Sequence, residues 1–181
     1  MTTIPVGNRP QWVSIAPDGN RAYVANEGDG SVSVIDTTTN HMYATVTGLS
    51  NPTAIAITPD GARAYVTNEN GSSSLSVIDT GTHNVTVIDT GADDSYGVAI
   101  SPDGHRAYVT NSGAGTVSVI DTHNNTVTET LQAGHFPFRV AITPNGNQAY
   151  VTNIGDNTVS AIEISNRHCA GSLCISSFSN S

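Results

Sequence analysis

Lysine is missing altogether. The six basic residues of this 181-residue chain are all arginine, set against 15 acidic ones, for a formal net charge of −9. A nucleic-acid groove or an anionic lipid surface would need a clustered basic footprint, so neither is an expected partner. Long apolar runs are missing too: none approaches the roughly 20 residues of a membrane-spanning helix, and no membrane insertion is expected. The opening residues, Met1 to Gly7, have no basic stretch and no apolar core, so they read as strand and not as a signal peptide. Cysteine is scarce, with only Cys169 and Cys174, and His168 beside the first. Two thiols and one imidazole fall short of the four ligands of a structural zinc site. They are expected to be free or disulfide-linked, and no metal or cofactor is called for. Helical periodicity is absent throughout, while β-branched residues alternate with period two.

What the chain has is repetition. Pro17-Asp18-Gly19, Pro59-Asp60-Gly61, Pro102-Asp103-Gly104 and Pro144-Asn145-Gly146 recur at intervals of 42, 43 and 42 residues. In each turn proline presets φ and glycine accepts a positive φ. Each is followed by Ala-Tyr-Val, at Tyr23, Tyr65, Tyr108 and Tyr150. A Val-Ile-Asp-Thr strand comes next, ending at Thr37, Thr80 and Thr122, with Ser160-Ala161-Ile162-Glu163 as the weakened last copy. Four short strands per period of roughly 40–45 residues are the signature of a β-propeller blade. The predicted fold is all-β: a propeller of about four four-stranded blades, spanning roughly 8–48, 49–91, 92–134 and 135–164.

The last unit lacks a clear fourth strand, and residues 2–7 look like a fourth strand without its blade. Closing the last blade with that N-terminal strand would complete a four-bladed ring and remove exposed edges. Two other arrangements stay open: a homodimer forming an eight-bladed ring, or part of a larger propeller. The tail, 165–181, is rich in Ser and has no counterpart in the repeats.

Arg21, Arg63 and Arg106 open the second strands, and Asp36, Asp79 and Asp121 close the third strands. These read as exposed structural pairs worth about 0–1 kcal/mol each and not as a ring of catalytic groups.

Tyr65-Val66-Thr67-Asn68, Tyr108-Val109-Thr110-Asn111 and Tyr150-Val151-Thr152-Asn153, set between Pro-Asp-Gly turns and Val-Ile-Asp-Thr strands, resemble the YVTN β-propeller repeats of archaeal surface-layer and bacterial secreted proteins. The resemblance covers residues 1–164, with Tyr23-Val24-Ala25-Asn26 as a departing first copy. It implies an extracytoplasmic or cell-surface location and leaves function open among surface modules, lactonase-like enzymes and interaction platforms.

Loops that break a repeat which the scaffold keeps are where binding chemistry concentrates. The loops leading into each first strand vary most, and they carry Arg9, Trp12, Tyr96, Phe136, Phe138 and Arg139. These are the candidate ligand-binding residues: arginine forks suit carboxylate or phosphate, and flat aromatics suit a sugar or a partner's side chain. The expected function is non-catalytic binding of a protein or glycan partner at this loop face. The alternative is a lactonase-like hydrolase, metal-assisted or not, around His135, Asp93 and Asp94, for which no recognisable nucleophile motif is present.

Overall fold

The computed structural model describes residues 2–69, 74–92 and 94–164. Its strands run in order through four antiparallel sheets. The first holds β1 (Pro10–Ile15), β2 (Arg21–Asn26), β3 (Ser31–Asp36) and β4 (His41–Thr47). The second holds β5 (Pro52–Ile57), β6 (Arg63–Asn68), β7 (Ser74–Asp79) and β8 (Val85–Asp89). The third holds β9 (Ser95–Ile100), β10 (Arg106–Asn111), β11 (Thr116–Asp121) and β12 (Thr126–Gln132). The fourth holds β13 (Pro137–Ile142), β14 (Gln148–Asn153) and β15 (Thr158–Glu163). Among the described residues the single helical turn is a 3-10 turn at Glu27–Asp29. This is a β-propeller architecture, with β1, β5, β9 and β13 side by side as the innermost strands.

The Pro-Asp-Gly turns behave as their composition requires. Gly19, Gly61, Gly104 and Gly146 have φ between 72° and 77°, a region that side chains disfavour. Asp60 and Asp103 accept hydrogen bonds from Thr58 and Ser101 Oγ atoms at 2.5 Å, which locks the turn against its own strand.

Each sheet has two apolar faces, and the faces of successive sheets mate. Tyr23, Ala25, Val32 and Val34 of the first sheet pack on Ile55, Ala64, Val66 and Ile78 of the second. Tyr65, Leu75 and Val77 meet Val98, Ala107, Val109 and Ile120, and Tyr108, Val117 and Val119 meet Ala149 and Val151. The fourth strand of each of the first three sheets joins the same contact, through Val46, Ile88 and Leu131. Dispersed cores of this kind bind each unit to its neighbours only, as in other repeat architectures.

The repeat motif explains its own residues. Thr67 and Thr110 accept the N–H of Ala54 and Gly97 within their own sheets and donate to the carbonyls of Tyr96 and Phe138 in the next. Asn111 Nδ2 donates to Thr116 and Ser118 on the neighbouring strand, and Asn153 does the same to Thr158 and Ser160. Tyr65 carries its hydroxyl to Asn125 of the third sheet at 2.7 Å. Of the hairpin pairs, Arg21 holds Asp36 at 2.8 Å, whereas Arg63 turns instead to the carbonyl of Thr122 in the next sheet.

One expectation is corrected. Residues 2–7 form no strand, and they do not complete the fourth sheet, which keeps three strands among the described residues. Ile4 and Val6 lie instead against Ala22, Val24 and Ile35 of the first sheet. Four fanned sheets do not bring the first back to the last. The outward faces at the two ends are therefore covered only in part: Val13 and Ile15 at one end and Tyr150 and Val159 at the other are 44–59% exposed, while Ile4 and Val6 cover Ala22, Val24 and Ile35.

Candidate functional site

The loops preceding the four innermost strands share one backbone device. Arg9, Asn51, Asp94 and Phe136, at matching places in the repeats, all have left-handed φ of 50–57°. Their carbonyls accept the N–H of Glu27, Glu69, Ser112 and Ile154 respectively, at 2.9–3.1 Å. Each residue that follows the buried Asn of the second strand is thus clamped to the loop ahead of the first strand. The two sets of loops form one face, and the left-handed backbone is part of the scaffold.

On that face the chain gathers several polar and aromatic groups. Arg139, on β13, sends its guanidinium across the innermost strands toward β1, where it lies 4.8 Å from the Trp12 ring centroid, and it lies 4.5 Å from that of Phe138. Its Nη1 donates to the carbonyl of Tyr96 at 2.8 Å. Tyr96 and Phe138 are tilted ring neighbours at 5.1 Å. Burial draws Arg139 below its ordinary value, yet a guanidinium stays charged, so a cation is held between two rings on the innermost strands. Four of the six residues expected to bind, Trp12, Tyr96, Phe138 and Arg139, are brought together in this way.

The other two are held apart from that cluster. Arg9 is mostly exposed and pairs with Glu27 at 2.9 Å. Phe136 is exposed and stacks on His135 at 4.6 Å. The backbone N–H of His135 donates to Asp156 at 2.5 Å, which leaves its ring beside Phe136. Asp94 occupies the matching loop of the third sheet, and Asp93 lies outside the described residues, as do His168, Cys169 and Cys174.

Two residues escaped the sequence reading. Glu27 is buried, bonded by both Arg9 and the Gln11 amide, the latter at 2.5 Å. Glu69 accepts the Tyr96 hydroxyl at 2.5 Å; burial first, and this carboxylate second, push Tyr96 well above the usual phenol range. The signal was present in the sequence. Asn26-Glu27 and Asn68-Glu69 carry an acid where the later copies have Ser112 and Ile154.

The opposite face carries a cavity of about 780 Å³ between the first and second sheets. Arg21 stacks on Tyr43 there at 4.0 Å, with His83 edge-on to the same ring at 6.0 Å. Smaller grooves recur between the later sheets, so this cavity follows from the repeat.

Comparison with known proteins supports the fold. No family model and no curated protein matches the chain. Among solved structures it is similar to the hydrazine synthase of Kuenenia stuttgartiensis, with a TM-score of 0.81 and 30% identity, covering 90% of this chain and 48% of that one. It is also similar to a protein from Bacteroides uniformis provisionally named a 6-phosphogluconolactonase (TM-score 0.76, 18% identity, 87% of this chain and 51% of that). A protein of the same provisional name from Bacteroides fragilis matches at a TM-score of 0.71 and 21% identity, over 85% of this chain and 50% of that. The chain spans about half the length of each.

Proposed function

We propose that this chain is a non-catalytic binding module of YVTN type, working outside the cytoplasm or at a cell surface, whose loop face takes a carboxylate-bearing glycan. The observation that carries this reading is the Arg139 guanidinium held between Trp12 and Phe138 on the innermost strands. A cation fixed by stacking and by one carbonyl bond loses little freedom when it engages an anion, and it keeps N–H groups for a carboxylate. The exposed part of Trp12 supplies a flat surface for a sugar ring. Calorimetric titration with uronic-acid oligosaccharides tests the reading. Both R139A and W12A are expected to weaken binding at least tenfold, with the neutral sugar binding less well. Identical affinities in wild type and both variants would reject the assignment, and binding of acidic peptides in preference to sugars would point to a protein partner.

A lactonase-like hydrolase is the second reading, favoured by the likeness to the two Bacteroides proteins provisionally named 6-phosphogluconolactonases. In that case Arg139 would hold an anionic substrate and His135 would move a proton. It requires lactone hydrolysis, assayed with and without divalent metal, that is lost in H135A; no hydrolysis by the wild-type chain removes it.

A further inference from the structure

The outward faces at the two ends of the molecule match each other, feature by feature. Each interface inside the chain uses the same set of contacts, and the last sheet presents one half of that set while the first sheet presents the other. The Tyr-Val pair that buries Tyr108 and Val117 against the fourth sheet is repeated as Tyr150 and Val159, which face outward. Thr67 and Thr110 clip the next sheet's innermost strand, and Thr152 repeats them on the exposed face. Pro17, Pro59 and Pro102 each pack on a glycine of the following turn, Gly61, Gly104 and Gly146; Gly19 has open space where such a proline would sit. The mating half is Val13, Ala22, Val24 and Ile35, at the places that Ile55, Ala64, Val66 and Ile78 fill in the second sheet.

The N-terminal segment completes the pattern. Ile4 precedes Val46, Ile88 and Leu131 at intervals of 42, 42 and 43 residues, and it rests on the first sheet as Val46 rests on the second. It therefore stands where a preceding sheet would put its fourth strand. Among the described residues the fourth sheet lacks that strand: β15 is its last, whereas β3, β7 and β11 are each paired with a further strand.

We infer that two copies of the chain join head to tail, the last sheet of each against the first sheet of the other, with residues 2–5 of each copy added as fourth strand to β15 of its partner. Four sheets from each copy give a closed ring of eight. The β15 edges, open among the described residues, and both apolar end faces are covered together, the arrangement by which sheet proteins avoid open-ended association. Strand addition supplies backbone hydrogen bonds, and the alternating side chains supply the register. That register follows from Val32↔Val46 and Val117↔Leu131 in the first and third sheets, and it sets Ile4 opposite Val159 of the second copy. The inference stands apart from the reading of the Arg139 site, although such a ring would set two Arg139–Trp12 pairs around one opening.

Light scattering on a sizing column, with the full chain, gives the first test: a discrete species of twice the chain mass is expected. Y150D/V159E changes only exposed side chains and should leave the circular dichroism of the protomer intact, while raising the dimer dissociation constant by at least about 30-fold. Register is tested by mixing two chains, one carrying I4C and the other V159C, both in a C169S/C174S background. A disulfide between unlike chains under mild oxidation is expected. A monomer, whether residues 165–181 or nothing covers β15, overturns the inference. So does a polydisperse series, a dimer unaffected by Y150D/V159E, or cross-linking confined to like chains.

Discussion

Tyr108 and Tyr150 occupy the same place in consecutive repeats, after Arg106-Ala107 and Gln148-Ala149 respectively, and end up in opposite surroundings. Tyr108 is 1% exposed between two sheets, and Tyr150 is 44% exposed on the last one. Nothing local separates them; both lie on a second strand with the same pairing to its neighbours. The difference is whether a further sheet follows. In a repeat architecture a motif specifies half of a contact, and the energy of that contact belongs to the junction.

The largest consequence is in core substitution. Tyr108→Ala empties a close-packed junction and should cost about 3–5 kcal/mol, as large-to-small changes of buried aromatics do. Tyr150→Ala should change the stability of dilute protein by no more than about 0.5 kcal/mol. Urea unfolding of both variants checks this, and equal losses would break the comparison. A loss for Tyr150→Ala that grows with protein concentration would sharpen it, because burial would then be coming from a second molecule.

Threonine gives a smaller contrast along the same line. Thr110 accepts from Gly97 N–H at 2.8 Å and donates to the Phe138 carbonyl at 3.1 Å, in a fully buried place. Thr110→Val keeps the shape and leaves both partners unsatisfied, at a cost of about 1–3 kcal/mol. Thr152 accepts only within its own sheet, from Arg139 N–H at 3.1 Å, and sits exposed, where water can substitute. Thr152→Val should cost about 0.5 kcal/mol or less, in keeping with surface sites. Comparable midpoints for the two variants would count against the clip between sheets.

The same contrast explains what could be read before the fold was known. Strand order, the turns and the registers were legible, because each is fixed within one repeat: Arg21↔Asp36, Arg106↔Asp121 and Gln148↔Glu163 are all partners, as their spacing of 15 residues requires. The destination of residues 2–7 was not. Ile4 and Val6 carry the pattern of a fourth strand, but alternation does not say which sheet receives it, and that depends on how far the fan of sheets turns. The site was legible in part for a related reason. Arg139 and Trp12 break the repeat and so stood out, whereas the buried Glu27 looked like one more polar loop residue until its partners Arg9 and Gln11 were in place.

The smallest effect concerns acid. Asp60 and Asp103 lie in the exposed turns of the second and third sheets, while the fourth turn has Asn145, which cannot titrate. The Asp60 carboxylate is held below its usual range by the Thr58 hydroxyl and then by the Ala62 N–H. For Asp103 burial is the largest influence and acts upward, but the Ser101 hydroxyl and the His105 N–H outweigh it, and the net direction is again down. A depressed folded value means that the charged carboxylate favours the fold. The contribution is complete above the unfolded value of about 3.9 and fades as pH falls through the lowered folded value. Stability should therefore hold from neutral pH to about 5 and then decline. Asn keeps an acceptor oxygen at the same place, so D60N and D103N should start slightly less stable at neutral pH and lose less on acidification, giving a flatter acid limb in urea midpoints. The converse change, N145D, places a carboxylate where Asn145 already accepts from the Thr143 hydroxyl and the Asn147 N–H, and should steepen the acid limb slightly. If D103N and wild type instead decline in parallel below pH 5, the carboxylates of these turns are not what acid attacks.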